Sequence, residues 1–227
     1  MPINFKEFDA VLFDMDGTLV NTEPLHAEAM ALVIKDIGLK FDIDLVAAIE
    51  KYAGMTDTMV LEILIPELSS QEVASLIAQK NQKLVTIFSQ MDDKKLASSM
   101  TPGLLDFLEW LKNSGKKLAV VSASEDVVVE ATLKAFSLHS HFQFWLGRNQ
   151  TERTKPYPDP YLEAMRRMNV SESRTVIFED SDNGMKAAVS SGAKSVRVAP
   201  FSSALGIKSF KLEHFNGDES KASCFKH

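Results

Sequence analysis

The sequence contains little cysteine and no long hydrophobic run, and its first residues do not have the pattern of a signal peptide. Cys224 is the single cysteine among 227 residues. No disulfide can therefore form within the chain, a usage typical of the cytosol. No apolar run approaches the roughly 18 residues of a transmembrane helix, and the first residues lack the apolar segment of a signal peptide. We therefore expect a soluble, cytoplasmic protein.

Positive charge and glycine-rich motifs are also scarce. The chain has 31 acidic residues against 25 Lys and Arg, a formal net charge of -6, and no basic run. Neither nucleic acid nor an anionic membrane is therefore expected as a partner. The absence of a Gly-x-Gly-x-x-Gly sequence and of a Walker loop also argues against a nucleotide-binding α/β protein. We expect a monomer, with a homodimer as the alternative.

What the sequence does contain is a short apolar run that leads into two aspartates and a glycine. Residues 10–13 have the length and composition of a buried strand. Asp14 and Asp16 follow, and side chains two residues apart on an extended chain share a face, while Gly17 allows a sharp turn. Two carboxylates so close together repel each other unless a cation such as Mg2+ lies between them. The alternative, that they merely cap the next helix, stays open at this point.

Helical patterns fill the next part of the chain. Helices are predicted from about residues 22 and 57, over about 43–52, and over about 70–90. The last begins with Ser69-Ser70-Gln71-Glu72, which has the form of a capping box. No strand-like alternation interrupts them, so residues 21–96 are expected to form an all-helical domain.

Strands and helices alternate from residue 101 onward. Strands are predicted over residues 118–121, 142–146, 175–178 and 195–198, with amphipathic helices between them. Such alternation predicts a parallel sheet covered on both faces. The predicted fold is therefore α/β, with a Rossmann-like parallel sheet flanked by helices in residues 1–20 and 97–227. The helical cap domain, residues 21–96, is inserted after the first strand.

Polar residues occur where successive strands are predicted to end. Ligand sites in open α/β sheets form at the carboxyl ends of the strands. Asp14 and Asp16 lie there, as do Ser122, Lys155 and the pair Glu179-Asp180. Each has an ordinary alternative as a helix cap, a solvated loop lysine or a surface turn. Their occurrence at four successive positions favours one shared site.

These motifs, in this order, resemble those of the haloacid dehalogenase superfamily, most of whose members are Mg2+-dependent phosphohydrolases. The resemblance covers about residues 8–198. The matching motifs are Asp14-Met15-Asp16-Gly17-Thr18, Ser122, Lys155-Pro156 and Glu179-Asp180-Ser181-x-x-Gly184. A helical cap after the first motif is similar to the subfamily that contains β-phosphoglucomutase and many sugar-phosphate phosphatases.

The resemblance implies a role for each motif residue. Asp14 would be the nucleophile that forms an aspartyl-phosphate, and Asp16 would be the general acid and base. Ser122 and Lys155 would bind phosphate oxygens. The implied Mg2+ ligands are Asp14, the backbone carbonyl of Asp16, Glu179 and Asp180. The chemistry agrees, because an anionic carboxylate that attacks an anionic phosphate needs nearby positive charge.

Substrate selection would fall to the cap and to residues beside the catalytic motifs, since closure of a cap brings new side chains to the leaving group. The candidate substrate-binding residues are Thr18, His26, Gly54, Met55, Thr56, Lys80, Ala123 and Ser124. His26 and Lys80 resemble positions near the active site of β-phosphoglucomutase-like proteins. The alternative for both is a solvated helix residue.

The sequence departs from the mutase pattern. Mutases hold a second phosphate and carry an arginine for it in the cap loop, whereas this loop reads Met55-Thr56-Asp57. Glu125-Asp126 follow Ser124 where mutases have lysine and asparagine, and two acids would repel a distal phosphate. We predict a Mg2+-dependent phosphatase that acts on a small phosphorylated metabolite, most simply a sugar phosphate. A β-phosphoglucomutase-like phosphomutase is the alternative.

Two further activities fit less well. A dehalogenase needs neither a second aspartate nor Mg2+, so Asp16 argues against that chemistry. A non-catalytic sensor of phosphorylated metabolites should have lost the nucleophile or the metal ligands, and this chain retains the residues for both.

Overall fold

The computed structural model describes residues 3–38 and 56–198. The strands in these ranges are β1 (Ala10–Phe13), β2 (Lys117–Val121), β3 (Phe144–Leu146), β4 (Thr175–Glu179) and β5 (Lys194–Arg197). The α-helices are α1 (Glu23–Asp36), α2 (Asp57–Leu64), α3 (Ser70–Gln90), α4 (Asp93–Ser99), α5 (Leu104–Asn113), α6 (Asp126–Ala135), α7 (Asp159–Met168) and α8 (Asp182–Ser190). The helix predicted over 43–52 and the site candidates Gly54 and Met55 lie outside the described residues.

The five strands form one parallel sheet in the order β3-β2-β1-β4-β5. All four residues of β1 are buried, as expected for a strand covered on both faces. The chain passes from β1 to β2 and β3 on one side, and then to β4 and β5 on the other. The direction of strand addition therefore reverses at β1, the place where α/β sheets form their binding crevice. The predicted parallel α/β sheet is confirmed.

Buried aromatic rings fix the end of β1 in the core. Phe13 stacks on Phe178 of β4 at a centroid distance of 5.2 Å and meets Phe107 of α5 edge-on at 6.2 Å. All three side chains are completely buried. Burial of one such side chain stabilises the fold by about 1.5–3 kcal/mol. Asp14 directly follows Phe13, so this packing sets the position of its backbone.

The chain divides into two compact units. The first contains the sheet and consists of the residues up to Asn21 and from Lys94 onward; the second is Thr22–Asp93. Within the second unit, α1 packs against α3 through buried side chains such as Met30 and Leu76. The capping box predicted for α3 is confirmed: Ser69 Oγ accepts from the Glu72 amide, and the Glu72 carboxylate accepts from the Ser69 amide.

The helix α4 is not among the predicted helices, the last of which ends at about residue 90 in this part of the chain. This helix is seven residues long and has no buried residue. It therefore carries no amphipathic pattern that would separate it from a loop. Among the described residues, none of the helices is long and apolar enough to cross a membrane.

Candidate active site

The turn after β1 brings the aspartate pair to the reversal point of the sheet. Gly17 has φ +89, a left-handed conformation that favours glycine. The space that a Cβ at Gly17 would fill is already taken by the carboxylate of Asp180. The glycine therefore serves two purposes, the sharp turn and the close approach of β1 and β4 at their carboxyl ends.

Lys155 connects the ends of three strands. Its Nζ donates to Asp14 Oδ1 at 2.6 Å, to Glu179 Oε1 at 2.6 Å and to the carbonyl oxygen of Val121 at 2.8 Å. Only 4% of the side chain is exposed. Burial acts to lower the pKa of Lys155, but the charges of Asp14 and Glu179 outweigh it, and the pKa lies well above its ordinary value. The lysine therefore stays charged.

The Glu179 carboxylate is completely buried and accepts four hydrogen bonds. Oε1 accepts from Lys155 and from the Tyr161 hydroxyl at 2.9 Å. Oε2 accepts from the backbone amide and the hydroxyl of Ser181, both at 3.1 Å. The carboxylate also fills the space that a side chain at Gly184 would need.

Asp14 is a buried carboxylate with one oxygen unsatisfied. Its backbone amide donates to the Phe178 carbonyl oxygen at 3.0 Å, and Oδ1 accepts from Lys155. Oδ2 is buried and has no hydrogen-bond partner within the described part of the chain. Burial raises the pKa of Asp14 well above its ordinary value, and the attraction of Lys155 only partly opposes this effect. Such a carboxylate is stabilised as an anion by a further cation.

Asp180 completes an acidic cluster. Asp180 Oδ1 accepts from the hydroxyl of the buried Thr18 at 3.3 Å. Burial, and then the neighbouring charge of Glu179, raise the pKa of Asp180 to about 7. Asp14, Glu179 and Asp180 each offer an oxygen, and these atoms lie within 4.8 Å of one another. An all-oxygen donor set with an unpaired buried carboxylate oxygen fits a hard divalent cation.

Asp16 is oriented by two serines that follow β2. Its Oδ2 accepts from Ser122 Oγ at 3.2 Å and from Ser124 Oγ at 2.8 Å. The Ser124 amide donates to Ser122 Oγ at 3.0 Å, which holds the two hydroxyls together. Ala123 lies between them and is exposed. The structure therefore brings Asp14, Asp16, Ser122, Ser124 and Lys155 into one site.

Candidate residues of the second unit contact one another and Asp57. Lys80 Nζ lies 2.6 Å from His26 Nδ1 and donates to Asp57 Oδ2 at 3.0 Å. The Lys80 side chain is 1% exposed, against 29% for Asp57. Thr56 Oγ1 accepts from the Met59 amide and so caps α2. A solvated Lys80, the alternative considered from sequence, does not agree with this burial.

Three hydrogen-bond partners of the candidate site residues were not predicted from the sequence: Tyr161 and Ser181, which donate to Glu179, and Asp57, which accepts from Lys80. Tyr161 resembles any core aromatic on α7, Asp57 has no periodic relation to Lys80, and Ser181 resembles a helix cap, which it also is. Asp126 Oδ1 accepts from the Gly147 amide at 3.0 Å and from Gln150 Nε2 at 2.8 Å. Its carboxylate thus binds the loop after β3.

Comparison with known proteins agrees with this site. The family model described as haloacid dehalogenase-like hydrolase matches residues 11–198. The chain belongs to the haloacid dehalogenase-like hydrolase family. The resemblance inferred from the motifs is therefore confirmed, and hydrolases of this family generally use a divalent metal.

Two curated relatives of this hydrolase and one solved structure are similar over most of its length. It is 30% identical over 189 residues to the phosphorylated carbohydrates phosphatase of Thermotoga maritima, with 83% of each chain covered. It is 29% identical over 198 residues to the fructose-1-phosphate phosphatase YqaB of Escherichia coli, which covers 86% of this chain and 98% of that one. The structure is a mutant of CbbY from Rhodobacter sphaeroides in complex with xylulose-(1,5)bisphosphate, with TM-score 0.73, 25% identity and coverage of 86% and 87%.

Proposed function

We propose that this hydrolase is a Mg2+-dependent phosphatase that hydrolyses small phosphomonoesters, in particular sugar phosphates, through an aspartyl-phosphate on Asp14. The observation that carries the proposal is the buried Asp14 Oδ2. It has no hydrogen-bond donor among the described residues, at the reversal point of the sheet and beside the Lys155 ammonium. A carboxylate oxygen in that position is available for nucleophilic attack. The names of the two curated relatives support the substrate class.

The first half of the reaction transfers the phosphoryl group to Asp14. A carboxylate oxygen of Asp14 attacks phosphorus, the bond between phosphorus and the ester oxygen breaks, and that oxygen takes a proton from Asp16. Lys155 offsets charge on the transferring group. Ser122 and Ser124 hold the Asp16 carboxylate through their hydroxyls. Acid–base help of this kind is worth about 10²–10⁴ in rate.

The second half regenerates the enzyme. Asp16, now ionised, takes a proton from a water molecule whose oxygen attacks phosphorus. The bond between phosphorus and Asp14 breaks, inorganic phosphate leaves, and Asp14 is again a carboxylate while Asp16 is again protonated. A group that acts first as acid and then as base has to be held in one place through both steps. The two serine hydroxyls provide that restraint.

Mg2+ fits the acidic cluster of Asp14, Glu179 and Asp180. The backbone carbonyl of Asp16 is a further candidate ligand. The bound ion would supply positive charge to the transferring phosphoryl group. The same charge would keep Asp14 ionised, since burial otherwise favours its neutral form.

We also propose that residues 21–96 form the cap domain that selects the substrate. His26, Thr56 and Lys80 are its described candidates, and Thr18, Ala123 and Ser124 are the candidates beside the catalytic motifs. The cap loop still lacks the arginine expected of a mutase, which favours hydrolysis.

Phosphate release from a panel of phosphorylated metabolites tests the proposal. We expect release with Mg2+, none with EDTA, and a loss of at least about 10³-fold in Asp14→Asn, because the nucleophile is removed. Asp9→Asn is the matched control, since Asp9 is an exposed aspartate of the same unit that pairs with Arg174. A silent panel would refute the phosphatase. Conversion of β-glucose 1-phosphate in the presence of a bisphosphate primer would then establish the mutase.

A further inference from the structure

We infer that Asp126 is a positioning residue for Asp16, and that it acts through the two loops that follow β2 and β3. The inference rests on the proposed function, in which Asp16 is the general acid and base. Asp126 is the first residue of α6 and comes two residues after Ser124, whose hydroxyl donates to Asp16 Oδ2 at 2.8 Å. A group that fixes this loop therefore also fixes the serine that orients Asp16.

The backbones after β2 and β3 stay paired beyond the ends of the two strands. The Ser122 amide donates to the Leu146 carbonyl oxygen at 2.9 Å, and the Arg148 amide donates to the Ser124 carbonyl oxygen at 2.9 Å. The loop that carries the Ser122 and Ser124 hydroxyls is therefore held in part by the loop after β3.

The Asp126 side chain joins the same two loops through two further hydrogen bonds. Its Oδ1 accepts from the Gly147 amide at 3.0 Å and from Gln150 Nε2 at 2.8 Å. Gln150 Oε1 accepts from Arg167 Nη1 of α7 at 3.0 Å, and this contact turns the amide nitrogen of Gln150 toward Asp126. One carboxylate oxygen thus binds both ends of the segment 147–150.

The close approach of Gly147 to Asp126 favours a specific role for this carboxylate. Gly147 is buried, and a Cβ at its position would overlap the carboxylate and the backbone nitrogen of Asp126. Its φ of -89 is open to any residue, so the contact with Asp126, and not the backbone conformation, requires glycine here. An acidic residue that only stabilises the first turn of a helix needs no such contact.

The link between the loops matters because Asp16 acts twice, first as acid and then as base. Proton transfer depends on accurate placement of the group. Without Asp126, the loop that carries Ser124 would lose two of the hydrogen bonds that join it to the loop after β3. Lys155 should be affected less, because it has its own hydrogen bonds to the ends of three strands.

Asp126→Ala tests the role through the leaving group of the substrate. p-Nitrophenolate leaves without a proton, whereas the alkoxide of a sugar phosphate needs the proton of Asp16. We expect kcat/KM, which covers the steps up to transfer to Asp14, to fall about tenfold for the sugar phosphate that the metabolite panel ranks first and less than about twofold for p-nitrophenyl phosphate. An equal loss for the two esters would overturn the role, as would no loss for either.

Two further variants and a control separate the hydrogen bonds from the charge. Asp126→Asn keeps an oxygen that can accept from Gly147 and Gln150, so kcat/KM for the sugar phosphate should lie within about threefold of the wild type. Gln150→Ala removes one donor without a change in α6 and should show the same contrast between the esters at about threefold. Asp106→Ala is the matched control, since Asp106 is an exposed aspartate in the first turn of α5, and it should leave both esters unaffected. Asp126→Asn as slow as Asp126→Ala would overturn the inference.

Hydrogen exchange tests the link between the loops independently of activity. In Asp126→Ala the amides of Gly147 and Arg148 should exchange at least about tenfold faster than in the wild type, while the amides of β4 keep their rates. Unchanged exchange at Gly147 and Arg148 would overturn the inference. A wild-type enzyme that releases no phosphate from either ester would instead refute the proposed function, and the exchange rates would still decide whether Asp126 holds the two loops together.

Discussion

The two units each bury a lysine, and the two lysines are balanced in opposite ways. Lys155 lies between two carboxylates, Asp14 and Glu179, which are themselves 8% and 0% exposed. Lys80 has one described carboxylate partner, Asp57, which is 29% exposed, and a histidine nitrogen. Around Lys155 the buried carboxylates outnumber the single ammonium group. In the pair of Lys80 and Asp57, the cation is the buried member and the carboxylate is partly exposed.

This difference determines which partner each site can lose. A buried charge is tolerated when it is paired, and removal of its partner leaves it uncompensated. Loss of Lys155 would leave two buried carboxylates facing each other. Loss of Lys80 would leave the neutral acceptor His26 Nδ1 and Asp57, which water can reach. Lys155 is therefore needed to stabilise the buried carboxylates around it. Lys80 is instead the buried charge that its neighbours stabilise.

Replacement of Lys155 by methionine should have the largest effect. We expect Lys155→Met to lower the free energy of unfolding by about 3–5 kcal/mol in the absence of metal, because Asp14 and Glu179 lose their cation. Phosphate release should fall by about 10²–10³ or more, since charge stabilisation at the phosphoryl group is lost. Urea denaturation and the phosphatase assay measure the two effects.

Lys117→Met is the matched control. Lys117 Nζ donates to the backbone carbonyl of Met168 at 2.6 Å, an interaction with one uncharged acceptor. Its loss should cost less than about 1.5 kcal/mol. Equal destabilisation by the two variants would show that the carboxylates around Lys155 contribute nothing beyond an ordinary buried hydrogen bond.

The excess of negative charge around Lys155 can also be tested by adding a cation. In the metal-free enzyme, the raised pKa of Asp180, about 7, means that the native state binds more protons than the unfolded chain between pH 4 and 7. Its stability therefore decreases as pH rises through that window. Mg2+ at about 100 times its Kd should add about 2.7 kcal/mol at pH 8. At pH 6 protons compete for Asp180, so affinity should be about tenfold lower and the gain about 1.4 kcal/mol smaller.

Thermal unfolding with and without Mg2+ at the two pH values measures this linkage. Asp180→Asn is the control, and it should remove most of the stabilisation by Mg2+ together with its pH dependence. An equal gain at pH 6 and pH 8 in the wild-type enzyme would contradict the role of Asp180 as a ligand that must lose its proton.

At Lys80 the order of effects should reverse. Asp57→Asn leaves the buried ammonium with His26 Nδ1 but without this carboxylate, and should cost about 1–3 kcal/mol. Lys80→Met should cost less, because the apolar side chain suits the buried position and water can reach Asp57. Urea denaturation of both variants decides the order. If Lys80→Met were the less stable variant, the contrast between the two lysines would fail.

The sequence predicts the residues around Lys155 far better than those around Lys80. Asp14 and Glu179 directly follow predicted strands and Lys155 lies in the loop after another, and parallel strands place such residues at one edge of the sheet. Their meeting could therefore be expected from the order of strands and motifs along the chain. The contact with Tyr161 could not, because a tyrosine on the buried face of a helix looks the same whether or not its hydroxyl has a partner.

In the helical unit, the sequence predicts where helices begin but not how they contact one another. Capping signals located α2 and α3, since Thr56 and Ser69 act through the next few residues. The contact between Lys80 and Asp57 spans 23 residues and depends on how two helices pack. The helical pattern of the sequence does not indicate how the two helices pack. Local hydrogen bonds could thus be predicted and tertiary ones within the helical unit could not.

An exposed cluster on α7 reverses the arrangement around Lys155 and should show the smallest effect. Here one carboxylate, Glu163, lies between Arg166 and Arg167 at 2.7 and 2.8 Å. Hydrogen bonds from Arg166, and then from Arg167, lower the pKa of Glu163 to about 2. A lowered acid pKa stabilises the native state above the unfolded value near 4.5, and the contribution is lost as pH falls toward 2. Because Arg166 is 73% exposed, solvent screening should reduce the gain to about 0.5–1 kcal/mol.

Glu163→Gln measures this contribution. We expect the variant to be less stable than the wild type by about 0.5–1 kcal/mol in urea at pH 7, with the difference reduced at pH 3 and in high salt. Glu130→Gln is the matched control, because Glu130 pairs with the single cation Lys134 on the exposed side of α6. A loss above about 2 kcal/mol that salt does not reduce would mean that the number of charges in the cluster, and not its burial, determines its contribution to the free energy of unfolding. In that case the contrast between the buried and exposed sites would not depend on burial, which is the property that makes Lys155 and its carboxylates costly to separate.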